Sequence, residues 1–205
     1  MSGLKYYIID TETTGLSASY HEIIEISIIR AEDRNQITKF IKADYPQRAS
    51  PEALKITNKS IKDLYRGESK LSAVEAVDKF LLQDGTTPEH RVFVAHNAPF
   101  DRRFCHALWS SVNKFFPANL WLDTKTLIKS VLIKQGVAKP KDLTLKGSMD
   151  QIGAKAYKGE HNALVDSRNC YVLWKKAMDS NINYLPHIKR EPHTLNTLGD
   201  SNDED

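Results

Sequence analysis

LKYYIIDTETTG, at residues 4–15, joins a run of aromatic and β-branched residues to a short segment rich in Thr and Gly. This composition predicts a strand over residues 4–10 that is followed by a loop. Asp10 and Glu12 lie two positions apart at the strand end, so their side chains project from the same face. Two carboxylates this close repel each other unless a cation lies between them, and Mg²⁺ prefers oxygen ligands. The stretch therefore predicts the first strand of a sheet and part of a metal site.

The β pattern continues into two further segments, and the three strands are predicted to be consecutive and antiparallel. Two more short strands are predicted later in the chain. The predicted strands cover residues 4–10, 21–30, 36–43, 91–95 and 120–122. Ser50 is predicted to cap a short helix that has Pro51 in its first turn, and residues 58–65 a second helical turn.

Five longer helices are predicted after the third strand, between the later strands and after the last strand. Ser72 and Glu75 have capping-box spacing at the start of a helix of about three turns. The others are predicted over residues 98–112, 124–134, 143–152 and 163–178. Strands first, and then strands alternating with helices, predict an α/β fold with helices layered on a sheet.

Length and composition predict one soluble domain. The chain has 205 residues, which is long enough to bury a core. Its two cysteines are too few for a disulfide framework. It contains no membrane-length apolar run and no apolar leader, so we expect a cytoplasmic protein without a membrane partner. We predict a folded domain over residues 1–186 and an acidic, mobile tail over residues 187–205.

The net charge is +3, and it is unevenly distributed. The tail sums to −3, which leaves +6 on residues 1–186. A mildly basic body is compatible with a polyanionic ligand, although an ordinary solvated basic surface explains the charge as well.

A ten-residue pattern, H-N-A-x-x-D-x-R-x-C, occurs at residues 96–105 and again at residues 161–170. In each copy an asparagine, Asn97 or Asn162, is a good N-cap for the helix that follows. Asp101 and Asp166 then fall about one turn into their helices, on seams that are otherwise apolar. A carboxylate on a buried seam needs either a raised pKa or a partner, and the partner is a shared metal or an arginine such as Arg103 or Arg168.

The two histidines of the repeat are predicted to differ. His161 lies five residues before Asp166, so it must precede the helix if both are to face one site. Its neighbourhood contains Gly159, and we predict a mobile loop that brings His161 to a water as a general base. His96 follows a strand, where a buried hydrogen-bonding role is more common than catalysis.

Taken together, these segments resemble a known family. A D-x-E pair alone is expected about once by chance in a chain with 26 acidic residues. Here Asp10-x-Glu12, the segment at residues 96–101 and the segment at residues 161–166 occur in the order and spacing of the DnaQ-like, or DEDDh, 3′→5′ exonucleases. That family includes the proofreading epsilon subunit of bacterial DNA polymerase III and RNase T. The resemblance covers residues 4 to about 178.

The resemblance implies an RNase H-like α/β fold with a central mixed five-stranded sheet flanked by helices. It also implies two divalent ions, Mg²⁺ or Mn²⁺. In that scheme Asp10 bridges both ions, Glu12 and Asp166 complete the first site, and Asp101 supports the second. Two such ions suit phosphodiester hydrolysis, with His161 as the base and nucleoside 5′-monophosphates as products.

The resemblance further implies how the chain would hold its substrate. Backbone near Thr13 and Thr14 would meet a 3′ hydroxyl, and Leu16 would wedge against the last base, although a plain turn with a buried leucine is an equal alternative. We also expect Asn97 and His96 to belong to the substrate-binding residues, although the main role of His96 is expected to be structural. The expected partners are single-stranded or 3′-terminal DNA and a polymerase or other replication or repair protein.

Two rival functions remain at this point. The first is the same chemistry on RNA, as a 3′→5′ exoribonuclease or an oligoribonuclease, because the motifs do not read the 2′ hydroxyl. The second is a noncatalytic nucleic-acid-binding module in which Cys105, Cys170 and two histidines hold structural zinc. The two cysteines lie far apart in the sequence and belong to no C-x-x-C pair, which disfavours the second function.

Overall fold

A five-stranded sheet forms the centre of the computed structural model, which describes residues 3–157 and 162–179. The strand order is β3-β2-β1-β4-β5. β1 pairs antiparallel with β2, and β2 with β3, whereas β4 runs parallel to both β1 and β5. The strands are β1 Lys5–Thr13, β2 Ile23–Arg30, β3 Gln36–Phe40, β4 Arg91–Ala95 and β5 Leu120–Asp123. The predicted mixed five-stranded sheet, with its first three strands antiparallel, is confirmed.

Six α-helices accompany the sheet within the described residues. They are α1 Pro51–Ile56, α2 Lys70–Leu82, α3 Ala98–Ser111, α4 Thr124–Lys134, α5 Leu145–Gln151 and α6 Ala163–Asp179. Ser50 caps α1 as predicted, since its hydroxyl accepts a hydrogen bond from the Ala53 amide at 3.1 Å. None of the described helices is both long enough and apolar enough to cross a bilayer.

The side chains of β1 alternate between two cores on opposite faces of the sheet. Tyr7 and Ile9 pack with residues of α2 and α3, in the larger core. Ile8 lies on the other face, beside Val94 and beneath Cys170 of α6. The period-2 alternation of a strand therefore sends Asp10 and Glu12 toward α6, and Thr11 toward α3.

Several predicted boundaries differ from the structure. β1 runs on to Thr13, because β2 is long enough to keep pairing with it past Asp10, so the first acidic pair lies inside the strand. A β-bulge between Glu12 and Thr13 then shifts the register. α2 begins two residues before Ser72, and Ser69 caps it by accepting a hydrogen bond from the Ser72 amide at 3.2 Å. Over residues 58–65 only Asp63–Tyr65 forms a 3₁₀ turn.

Two predictions fall outside the described residues. His161 is one, together with the loop that was expected to carry it. The acidic tail at residues 187–205 is the other.

Candidate metal centre

Three of the four predicted acids come together on one face of the sheet. Carboxylate oxygens of Asp10, Glu12 and Asp166 all lie within 4.8 Å of one another. Asp10 and Glu12 reach this point by alternation along β1, and Asp166 reaches it from the first turn of α6, which packs across β1 and β2. The apolar seam below Asp166, formed by Cys170 and Leu173, is buried as predicted.

Asp101 approaches from the other side of β1. It lies in the first turn of α3, is 3% exposed, and accepts a hydrogen bond from the Thr11 hydroxyl at 2.8 Å. Thr11 points toward α3 because it lies between Asp10 and Glu12 in the alternation. Asp101 is therefore outside the group of three acids, although its charge acts on Asp10 more strongly than any other neighbour's.

The acids destabilise one another's charges. Burial raises the pKa of Asp10 well above its usual range, and the charges of Asp101, Asp166 and Glu12 raise it further. Burial also raises the pKa of Asp101 to about 7, although the Thr11 hydrogen bond opposes the shift. In the described part of the chain, no lysine or arginine forms an ion pair with Asp10 or Asp101.

Such a site fits a hard divalent cation. Its donors are all carboxylate oxygens, which Mg²⁺ and Mn²⁺ prefer over nitrogen or sulfur ligands. A bound cation would offset the repulsion that raises the pKa values of Asp10 and Asp101. The alternative in which Arg103 or Arg168 neutralises the acids is not what the structure shows, because Arg103 is exposed and Arg168 donates to Gln36 at 3.2 Å.

Glu25 is a fifth acid at this site, and sequence reasoning missed it. It lies directly opposite Glu12 in the β1–β2 register and is 2% exposed. Burial raises the pKa of Glu25, while Lys59, 3.9 Å away, and the backbone N–H of Ala163 lower it. Because Ala163 is the first residue of α6, the Glu25 carboxylate lies at the start of the helix that carries Asp166. An acid between Ile24 and Ile26 in an isoleucine-rich strand was the available signal.

The two predicted asparagine caps behave differently. Asn162 caps α6, since its side-chain oxygen accepts a hydrogen bond from the Val165 amide at 2.9 Å. Asn97 precedes α3 but makes no side-chain cap, and its φ of 74° is left-handed. The carboxylate of Asp123, at the end of β5, accepts hydrogen bonds from the Asn97 and Ala98 amides instead. The predicted capping role of the Asn97 side chain is therefore wrong.

Asp123 also begins the next helix, α4. It accepts hydrogen bonds from the Lys125 amide at 3.0 Å and from the Thr126 hydroxyl at 2.9 Å. One carboxylate thus fixes the starts of both α3 and α4, and the local sequence around Asn97 contains no sign of it.

His96 links three segments near the metal centre. Its Nδ1 lies 3.0 Å from the Thr124 hydroxyl oxygen, and its Nε2 lies 2.9 Å from the carbonyl oxygen of Leu143. Burial lowers the pKa of His96. Both ring nitrogens are occupied by protein atoms, which fits the structural role expected of it.

The loop after β1 uses its threonines internally. The Thr13 hydroxyl donates to the Gly15 carbonyl at 2.7 Å, and the Thr14 hydroxyl accepts from the Glu22 amide at 2.9 Å. A hydrogen bond donated by Thr13 to a ligand would thus come from its backbone amide rather than from its hydroxyl. Leu16 is 82% exposed, which contradicts a buried leucine and leaves an apolar side chain open to solvent three residues after the end of β1.

Gly15 has a packing reason to be glycine. A Cβ at this position would overlap the imidazole ring of His21, whose Nδ1 accepts a hydrogen bond from the Ser17 amide. The small residue therefore lets the two ends of the loop close against each other, and no positive φ is involved.

The zinc-module alternative is excluded for the pair of cysteines. Cys105 and Cys170 are buried in the two cores on opposite faces of the sheet, so they cannot share an ion. Burial raises the pKa of both thiols, which opposes the thiolate form that zinc binds.

Comparisons with known proteins agree with this geometry. A sequence profile of the Exonuclease family (RNase_T) matches residues 7–173. The chain is 32% identical over 189 residues to a DNA polymerase III PolC-type protein of Pediococcus pentosaceus, covering 86% of this chain and 12% of that protein. It is 28% identical over 188 residues to the DNA polymerase III subunit epsilon of Treponema pallidum, covering 91% of this chain and 80% of that protein. The chain thus spans about a tenth of the PolC-type relatives it matches.

Solved structures share the fold at low sequence identity. Exonuclease I of E. coli, in complex with a dT13 oligonucleotide, has a TM-score of 0.70 at 14% identity, covering 86% of this chain and 41% of that one. Cell-death related nuclease 4 has a TM-score of 0.73 at 14% identity, and the match covers 87% of this chain and 65% of that one. With the family profile spanning both the sheet and the acidic cluster, the chain belongs to the Exonuclease (RNase_T) family and has its RNase H-like fold.

Proposed function

We propose that this chain is a divalent-metal-dependent 3′→5′ exonuclease that shortens DNA to nucleoside 5′-monophosphates. The observation that carries the proposal is the convergence of Asp10, Glu12 and Asp166 within 4.8 Å, with Asp101 held beside them by Thr11. DNA is chosen over RNA because the relatives named above are DNA polymerase proteins and exonuclease I is solved with a DNA oligonucleotide.

The acids would hold two ions, Mg²⁺ or Mn²⁺, with Asp10 shared between them. Glu12 and Asp166 would complete one site, and Asp101 would support the other. When bound, two such ions promote attack by water on one side of the phosphorus and neutralise the leaving 3′ oxygen on the other.

His161 would accept the proton of the attacking water, as the family resemblance implies. Leu16, exposed at the head of the loop, would pack against the terminal base, while the backbone of Thr13 and Thr14 would meet the 3′ hydroxyl. His96 and Asn97 would support the segment between β4 and α3 rather than react.

A role in replication or repair, beside a polymerase, is part of the same proposal. It is supported by the names of the PolC-type and epsilon relatives. Mismatched 3′ ends on duplex DNA should then be shortened faster than matched ends.

A gel assay tests the proposal. With Mg²⁺ or Mn²⁺, 5′-labelled single-stranded DNA should be shortened from its 3′ end to a ladder, and a 3′-phosphate end should be cut poorly. EDTA should stop the reaction, and Asp10→Asn should lower its rate by about 10³-fold with an unchanged circular dichroism spectrum. Matched RNA is the second arm: faster cleavage of RNA would assign the enzyme to RNA. If both strands stay whole, the proposal fails.

A further inference from the structure

An arginine held between two tyrosines lies next to the loop that carries Leu16. The Arg48 guanidinium carbon is 4.0 Å from the ring centroid of Tyr45 and 4.9 Å from that of Tyr20. About half of each tyrosine is exposed, at 46% and 52% respectively. Flat, half-exposed rings beside a cation are the elements from which proteins build stacking platforms for nucleic-acid bases.

Arg102 and Arg103, on the solvent side of α3, extend this basic area. Among the residues that the structure describes, no carboxylate forms an ion pair with Arg48, Arg102 or Arg103. Arg30 and Arg66, elsewhere on the protein, do have acid partners. We call the residues Tyr20, Tyr45, Arg48, Arg102 and Arg103 the arginine–tyrosine surface. Within the described part of the chain its three arginines have no ion-pair partner, because the acids that line the same depressions bind other groups: Glu22 pairs with Lys70, and Asp123 accepts backbone amides.

Two adjoining depressions connect the parts of the surface. One is lined by Tyr20, Tyr45 and Arg48, and the other by Arg102 and Arg103. They share Ala18, Ser19 and Ala107, so they lie on either side of the loop that follows Leu16. The second has a volume of about 900 Å³, within the usual range for ligand clefts.

The second depression also reaches the start of α3. Ala98 and Pro99, in the same turn as Asp101, line its end. A chain whose last nucleotide lies at the acids could therefore leave the site along α3 and pass the loop toward the tyrosines.

We propose that the arginine–tyrosine surface binds the single-stranded segment upstream of the 3′-terminal nucleotide. Arg102 and Arg103 contact its phosphates, and the stack of Tyr20, Arg48 and Tyr45 receives bases together with a phosphate. The ligand class is a single-stranded nucleic acid of several nucleotides, read without sequence preference because every base has a π face. The proposal rests on the proposed exonuclease function for the polarity of the strand, and it adds a contact area outside the metal centre.

The test compares two triple variants that remove equal charge. The first, Arg48→Gln/Arg102→Gln/Arg103→Gln, removes the cations of the surface while keeping their apolar stems. The control, Arg34→Asn/Lys129→Gln/Lys155→Gln, removes three exposed cations that line neither depression. Asparagine suits position 34, where φ is 61°. Circular dichroism checks that both variants fold.

Binding is measured by fluorescence anisotropy with a labelled 12-nucleotide DNA in EDTA, which prevents hydrolysis. Each phosphate contact contributes about 0.7 to the slope of log Kd against log salt for a single strand, so the surface variant should lose about 2 from that slope. The control should keep the wild-type slope. A 12-nucleotide RNA should behave like the DNA, since neither stacking nor phosphate contact requires a particular sugar. A loss with DNA alone would assign the surface to DNA.

Kinetics supply the second readout. A dinucleotide reaches only the acids and the Leu16 loop, so its kcat/KM should stay within about twofold of wild type in the surface variant. For the 12-nucleotide DNA, KM should rise about tenfold or more with kcat nearly unchanged.

The two proposals can fail separately. An unchanged slope, or equal losses in the surface variant and the control, would overturn the surface. If the wild-type protein hydrolyses neither substrate, but the surface variant still has a smaller salt slope than wild type, only the exonuclease function would be overturned. Should the triple variant not fold, Arg102→Gln/Arg103→Gln alters only exposed residues of α3 and should lose about 1.4 from the slope.

Discussion

The two copies of H-N-A-x-x-D-x-R-x-C share a pattern but not a structural solution. In the second copy Asn162 caps its own helix, and Glu25 of β2 receives the first amide of that helix. In the first copy Asn97 adopts a left-handed conformation, and Asp123 of β5 supplies the cap from 26 residues away in sequence. Both copies deliver an acid to the metal centre, one on each side of β1. Two segments with the same pattern therefore carry an aspartate at the same position on helices that are anchored by different parts of the fold.

The largest fall in activity is expected when the acid of either copy, Asp101 or Asp166, is replaced. Asp166→Asn and Asp101→Asn should each lower kcat by about 10³-fold, because each removes a charge that the cations require. Single-turnover hydrolysis of labelled DNA measures the loss, with Asp150→Asn on α5 as an exposed control. If Asp101→Asn keeps most of its activity while Asp166→Asn does not, only the second copy supplies a functional ligand.

Glu25 should affect the position of the acid in the second copy, Asp166, but not that of the acid in the first. Glu25→Ala removes the acceptor for the Ala163 amide, so α6 should shift and kcat should fall about 10- to 100-fold, as for other residues that orient a metal ligand. Glu25→Gln keeps an acceptor oxygen and should recover part of that loss. A titration of Mn²⁺ affinity by calorimetry gives an independent readout. Equal activity of Glu25→Ala and wild type would show that α6 is positioned without this contact.

Removing the helix caps of the two copies should lower the free energy of unfolding by different amounts. Asp123→Ala removes the caps of both α3 and α4 and should cost about 2 kcal/mol, whereas Asn162→Ala should cost about 1 kcal/mol. Asn97→Gly should be close to neutral, because glycine adopts a left-handed φ at no steric cost. Urea unfolding at fixed pH and metal concentration measures all three. A larger loss for Asn97→Gly than for Asn162→Ala would reverse the comparison.

The pH dependence of stability is the smallest expected effect. The pKa of Asp101 is raised to about 7, so between its unfolded value near 3.8 and about 7 the folded state binds more protons than the unfolded state. The metal-free protein should therefore lose about 1 kcal/mol of stability between about pH 6.3 and pH 8, which lowers its Tm by about 2–4 °C. Asp101→Asn should reduce this fall, and Mg²⁺ should raise Tm more at pH 8. Scanning calorimetry in EDTA and in Mg²⁺ checks both. A Tm that rises over this range would contradict the shift.

Local patterns account for most of the fold and for the acids. Periodicity located every strand, and the seam of α6 identified Asp166 because an acid interrupts buried positions. The contributions of Glu25 and Asp123 could not be obtained in this way, because each acts on a helix start that is distant in sequence. The Arg48 stack was missed for a related reason. Tyr45 is close to Arg48 in the sequence, but Tyr20, on the far side of β2 and β3 in the sequence, reaches Arg48 only in the folded protein.

The β-bulge between Glu12 and Thr13 separates two tasks along one strand. Up to Glu12 the register with β2 is regular and fixes the acids, whereas beyond it the offset is absorbed and the chain turns into the Leu16 loop. Changes of length or sequence after Thr13 would therefore leave the acidic residues in register. The Leu16 loop can be redesigned, or can diverge between relatives, without moving the carboxylates that are proposed to bind the cations.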